Sequence, residues 1–337
     1  MTWNLRAWGW IAALIVLMIC AALLQIATWE NDARRVDIYY LYLDGQRLTA
    51  GENPYARVLE GNMRENDKYT TYFPAFIELS YLTQRLGLPD FDPWLVFWRW
   101  VFLLTNLGIM GLLFWAFQSR GAPLLGIIAA AFWAFNRWTL FLLRVSGMDF
   151  LPLLFLLVSL LLLPRDRYRL LAMVLFGLSL ALKQLAIFLL PLYLIYAYHC
   201  APRHKLREAL IAALAIGAPV LVSSLPFLFW DLKGFVKSIA FSATRSQYQF
   251  APVAGSLDMY LNLNGLAARL PMLAVMALIY WAAWREKLSI LYSALLVMAV
   301  FAGFNAIFFD QYMVWFILLL PLGLLELVHT QPHLSPT

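Results

Sequence analysis

The chain has 337 residues, of which 63% are hydrophobic and only 13% charged, with a formal net charge of +6 and a mean hydropathy of +0.72. A water-soluble domain of this length is excluded, because too few polar side chains remain to cover its surface. The positive charge does not imply a nucleic-acid partner, since many of the basic residues sit in short loops between apolar runs, where they report membrane orientation.

The run from Trp8 to Thr28 carries no charge and is long enough to cross a bilayer core of about 30 Å as a helix. It exceeds the apolar stretch of a signal peptide, so it reads as an anchor. Further apolar runs fall at 95–117, 122–136, 148–163, 170–182, 184–198, 208–228, 261–283, 288–304 and 311–327. The expected fold is therefore all-α, a polytopic bundle of about ten transmembrane helices embedded in membrane lipid. The runs 170–182 and 184–198, parted by Lys183, read as a tight hairpin or as one helix with a functional break. The whole of 1–337 reads as a single membrane domain, with 29–94 as an outer catalytic loop and 229–260 as a second outer loop. Within the first loop, Phe73 to Leu88 predicts an interfacial helix, and Trp94, Trp98 and Trp100 beside Arg99 predict an interfacial belt.

Arg6, Arg120, Arg165, Arg167, Arg169, Arg203, Lys205, Arg207, Arg285 and Lys287 fall on one side of this arrangement. That side reads as cytoplasmic, which puts both long loops and the acids Asp37, Asp149 and Asp310 outside. Cys20 and Cys200 are far apart and suggest neither a disulfide nor a metal site. No Walker-type loop or GxSxG elbow occurs, and the four histidines are too scattered to bind zinc. No cofactor is expected, and a metal requirement is not set by the sequence. The Asp90-Phe91-Asp92 triplet lies between Pro89 and Pro93 and reads as a turn leading into a helix. No N-x-S/T sequon is present, which makes a prokaryotic plasma membrane the default location.

Chemistry concentrates in the first loop, which runs through Arg34, Arg35 and Asp37, then Gly51-Glu52-Asn53-Pro54-Tyr55, then Tyr69-Thr70-Thr71-Tyr72-Phe73-Pro74. Later segments of the same kind are Gly147-Met148-Asp149, Leu182-Lys183-Gln184, and Asp310-Gln311-Tyr312-Met313-Val314-Trp315 ahead of Pro321. In this order the chain resembles the GT-C superfamily of membrane glycosyltransferases, especially glycosyltransferase family 87 and the catalytic subunit of GPI mannosyltransferase I. The resemblance implies transfer of a sugar from a polyprenyl-phosphate donor to a lipid, glycan or protein acceptor at the outer face, with Asp37 as general base. It also implies site roles for Gln184, Gln311 and Tyr312. The GPI enzyme carries an acid two residues after the first, where Tyr39 stands here. The sugar, mannose or another hexose or pentose, and the acceptor therefore stay open.

The residue types suit this chemistry. A hydroxyl attacking an anomeric carbon needs a carboxylate within about 3 Å to take its proton, and a leaving phosphate gains charge that cations at the bilayer edge stabilise. Arg137, Arg144, Lys183 and Arg245 are the phosphate candidates, with interfacial anchoring as the alternative for the arginines. Asp149 either caps helix 148–163 or contacts donor or acceptor, and Asp37 has the same capping alternative and competes with Asp32 and Asp44. Lys183 within an apolar stretch costs about 2.5–3.5 kcal/mol, which calls for a partner, a function or snorkelling. Gln311 and Tyr312 alternatively pack helix to helix, while Asn53, Pro54 and Tyr55 shape a turn. A transporter or flippase for lipid-linked sugars is the rival reading, and it requires charges lining a path between the two faces.

Overall fold

The structure, a computed structural model, describes residues 5–30, 32–34, 36–61, 69–244, 261, 263, 265–304 and 309–329. Among these residues the regular structure is entirely helical. The first long segment after α1 (Leu5–Ala27) holds α2 (Asp37–Thr49), a 3-10 turn at Ala56–Leu59, and α3 (Ala75–Arg85). There follow α4 (Phe91–Gln118), α5 (Pro123–Phe135), α6 (Arg137–Arg144), α7 (Phe150–Leu162), α8 (Arg169–Leu182), a 3-10 segment at Gln184–Leu189, and α9 (Leu190–Cys200). The remaining helices are α10 (Lys205–Trp230), α11 (Leu232–Thr244), α12 (Gly265–Trp284), α13 (Ile290–Phe304) and α14 (Asp310–His329).

Three stretches, Trp8–Ala27, Phe91–Gln118 and Lys205–Trp230, are long and apolar enough to cross a membrane, and α5 with α6 adds a fourth if that bent pair counts as one span. Phe150–Leu162, Gln184–Cys200, Arg269–Trp284 and Ile290–Phe304 are apolar but shorter. All ten expected runs are helical, but α5, α7, α8, α9 and α13 have only 11–15 residues each, shorter than a full crossing. The outward faces still suit lipid: Phe229 is 86% exposed and Val222 69%, which water would penalise at about 25 cal/mol per Å².

Two of these breaks decide the site. Between α5 and α6 the chain bends by 48°, and Asn136 fixes the bend by accepting hydrogen bonds from the backbone N–H groups of Trp138 and Thr139, both at 3.0 Å. At Lys183 the backbone turns extended, with φ −159° and ψ 116°, and α8 stops. Phe176 of α8 then stacks on Tyr193 of α9 at 4.1 Å, so the chain doubles back and the hairpin reading holds over the interrupted helix.

Polar side chains stitch the interior. Asn106 donates to Gln25 at 3.0 Å and accepts from the Trp133 indole at 2.8 Å, tying α1, α4 and α5. Ser179 donates to the Pro152 carbonyl at 2.8 Å, joining α8 to α7. Such bonds hold helices together where apolar burial alone gives little driving force. The expected tryptophan belt needs correction, because α4 begins at Phe91 rather than 95 and turns Trp94 and Trp98 into the core. There they pack against Tyr42 and Phe76, and Trp100 alone of the three is exposed.

Helix ends gather at two poles. At one, Arg99 donates to Ser146 at 2.9 Å and to the Trp29 carbonyl, and Thr28 reaches the Leu143 carbonyl at 3.3 Å. At the other, Arg120 lies within electrostatic reach of Arg165 and Glu326, and His199 pairs with Glu286 at 3.0 Å. The short basic loops thus lie at the pole away from Asp37 and Asp149.

Candidate active site

Asp37 opens α2, but the N-cap position belongs to Val36, which makes no side-chain cap. The Asp37 carboxylate instead leaves its own helix. Its Oδ2 accepts from the Tyr72 hydroxyl at 2.8 Å and from Gln311 Nε2 at 3.3 Å, and lies 4.0 Å from Lys183 Nζ. Asp149 does stand at the N-cap of α7, yet it makes no capping bond. One of its oxygens binds Lys183 Nζ at 2.8 Å and the other accepts from the Trp315 indole at 2.8 Å. The capping alternatives for both acids are therefore corrected: each carboxylate is drawn to tertiary partners stronger than a cap.

Lys183 is fully buried and Asp149 nearly so, while the Asp37 side chain keeps 20% exposure. The snorkelling alternative for Lys183 is overturned, because its ammonium points inward to two carboxylates, with the Tyr72 ring 5.0 Å away. A buried charge survives only when paired and hydrogen-bonded. With all three groups ionised the trio carries one net negative charge, a setting that suits a proton acceptor and repels a phosphate. The reach of Asp37 to the surface makes it the member of the trio that can meet a substrate.

Tyr72 comes from the irregular segment 69–73 ahead of α3. Burial, then the neighbouring Asp37, Tyr312 and Asp149, hold its phenol well above the ordinary tyrosine range, so it remains a donor. The segment is held by side chains: Gln184 donates to the Thr71 carbonyl at 2.6 Å and accepts from the Phe73 N–H at 3.3 Å. Tyr55, buried against Phe227 and Phe235, donates to the Tyr72 carbonyl at 2.7 Å. The turn expected at Asn53, Pro54 and Tyr55 forms, with Asn53 Oδ1 accepting from the Tyr55 N–H at 3.0 Å.

Beside this cluster, Arg137, Leu140, Phe141, Arg144 and Asp310 line an open cavity of about 300 Å³. Arg137 and Arg144 are seven residues apart on α6, two turns along one helix face, and both are exposed. Asp310 and Gln311 are consecutive, so the start of α14 meets the cavity with one residue and Asp37 with the next. Tyr312 is half-buried between Phe301 and Phe309 at 5.5 and 5.4 Å. Arg245 lies outside the described residues.

Comparison with family models and with curated proteins finds no match for this chain. Asp37, Asp149, Lys183, Gln184 and Gln311, widely spaced in sequence, meet in one cluster; Arg137 and Arg144 meet in the adjoining cavity. Tyr72 and Trp315 stand in the sequence inside motifs, where nothing about them alone marks a site role. Each is an aromatic donor within such a motif, and that was the available signal. Asp44 is structural: it is buried, pairs with Arg47 at 2.6 Å and accepts from Thr70. Burial pushes its carboxyl up, against the pull of Arg47 and Thr70. Asp92 of the acidic triplet pairs with Arg34 at 2.9 Å. Among the described residues no group of three or more His, Cys, Asp or Glu side chains gathers as metal ligands.

Proposed function

We propose that this chain is a polyprenyl-phosphate-sugar-dependent glycosyltransferase of GT-C type, with Asp37 as its general base. The observation that carries the reading is a partly exposed carboxylate, fixed by Tyr72, Gln311 and Lys183, next to a cavity lined by two exposed arginines. The acceptor hydroxyl oxygen forms the new bond to the anomeric carbon as its proton passes to Asp37. The bond from that carbon to the phosphate oxygen breaks, and the electron pair leaves on the polyprenyl phosphate. Arg137 and Arg144 stabilise the charge that develops there. Lys183, paired between two acids, holds Asp149 and Asp37 in place instead of meeting the phosphate.

The finer membrane reading belongs to the same proposal. Ten crossings, some short and tilted or locally thinning the bilayer, place the Asp37 pole outside and the basic pole in the cytoplasm of a prokaryotic plasma membrane. A lipid-borne donor then enters the arginine cavity from the bilayer edge. The purified protein is expected to consume a polyprenyl-phosphate sugar when tested across several hexoses and pentoses. Arg137→Gln and Arg144→Gln should each raise the KM for that donor by about tenfold, the loss of one charge-assisted contact. Movement of a lipid-linked sugar across vesicles without any transfer would replace this reading with the transporter.

A further inference from the structure

Residues 70–73 have no regular secondary structure, and Thr70 and Thr71 are nevertheless buried. Backbone carbonyls in that position need partners. Each of three successive carbonyls has a side-chain donor from a different part of the chain. Ser238 of α11 donates to Thr70, Gln184 to Thr71 at 2.6 Å, and Tyr55 to Tyr72 at 2.7 Å. Gln184 also accepts from the Phe73 N–H at 3.3 Å, so one amide grips the backbone on both sides of Tyr72. The gripped residue is the one whose hydroxyl donates to Asp37 at 2.8 Å.

We propose that Gln184 is a positioning residue that acts on Asp37 through Tyr72, holding the phenol at the carboxylate without itself touching substrate. The amide sets the backbone, the backbone sets the ring, and the ring stabilises the charged form of the base. The chain break at Lys183 serves both steps, since it points the Lys183 ammonium to the acids and places Gln184 beside residues 71–73. Gln184 is half-buried, and with both polar ends bound to one segment it is a strong restraint, because turning the amide would break both bonds. The catalytic consequence rests on the glycosyl-transfer reading, whereas the link from Gln184 to Asp37 does not.

The test follows the Asp37 carboxyl by ¹³C NMR of aspartate-labelled full-length protein, with Asp37→Asn giving the assignment. The charged and titratable groups about Asp37 among the described residues include Lys183, Asp149, Tyr72 and, beyond Tyr72, Tyr312. Tyr72→Phe removes a hydrogen bond to the charged form, so the Asp37 midpoint should rise by about one unit. Gln184→Met keeps the volume and loses both grips, and should raise the midpoint in the same direction. The double variant should show no further rise than Tyr72→Phe alone, since both act through one phenol. If Gln184→Met does not fold, Tyr55→Phe loosens the same backbone and should give the same upward shift. In a transfer assay the acid limb of kcat should move up in parallel, with donor KM within about twofold. An Asp37 midpoint unmoved by Gln184→Met, or shifts that add in the double variant, would overturn the proposal. Absence of transfer by wild type alongside the expected shifts would remove the catalytic reading and leave the positioning link standing.

Discussion

At the level of single residues, the pair Lys183–Asp149 is the most heavily buried charge interaction in the site, at 2.8 Å with both side chains shut from solvent. Removing one member leaves the other buried and uncompensated, which typically costs about 3–5 kcal/mol. Lys183→Met should therefore lower the melting temperature sharply. Adding Asp149→Asn, which keeps an acceptor for the Trp315 indole, should recover more than half of the loss; no recovery would mean that Lys183 is stabilised by something other than Asp149. The need for a partner was legible in the sequence, because an ammonium amid leucines demands one. The partner's identity was not, since Asp149 is thirty-four residues away and its place before an apolar helix equally suits a cap. Asp44 shows the opposite failure, an acid that looks like a competitor for Asp37 and is enclosed with Arg47 and Thr70.

Elements show where pattern reading runs out. The apolar runs marked the long helices, but α2, α6 and α11 lie outside them, α2 and α11 within segments read as outer loops, and helix lengths are set by breaks that hydropathy does not register. Asn136, with its two backbone donors, turns α5 into α6 and creates the arginine-bearing face. The packing of α8 on α10 depends on a close approach at Gly177, where an added Cβ would strike the Ile216 carbonyl of α10. Small residues at such crossings let backbones approach. In α3, Glu78 is half-buried, and burial pushes its carboxyl from an ordinary value of 4.5 to about 7. The folded form keeps its proton while the unfolded chain releases it between those values. Stability therefore falls as pH rises from 4.5 to 7, and the penalty is complete above 7. Glu78→Gln should raise the melting temperature at pH 8 and leave it unchanged at pH 4; an equal effect at both would show that Glu78 acts through packing.

For the whole molecule, the separation of an acid-bearing pole from a basic one was legible in the sequence, because short Arg/Lys loops recur with the alternation of apolar runs. The convergence at the acid pole was only partly so: order along the chain suggested which residues belong together, and tertiary packing decided how. The orientation is open to a direct check. In a background with Cys20 and Cys200 replaced by Ala, a cysteine at Glu52, which is exposed near the site pole, should react with an impermeant reagent in intact cells. One at Arg167, exposed at the other pole, should react only after lysis; the reverse pattern would put the site inside. The most direct test of the catalytic reading is turnover of a radiolabelled polyprenyl-phosphate sugar by wild type, Asp37→Asn and Asp32→Asn, the last a change at an exposed acid whose Oδ1 accepts from the Arg34 backbone N–H at 2.9 Å and lies 3.6 Å from the Arg34 guanidinium. Loss of a general base is expected to lower kcat by at least about 10²-fold in Asp37→Asn, with donor KM nearly unchanged and Asp32→Asn within a few-fold of wild type. Near-normal turnover by folded Asp37→Asn would contradict the assignment and move the base elsewhere in the site.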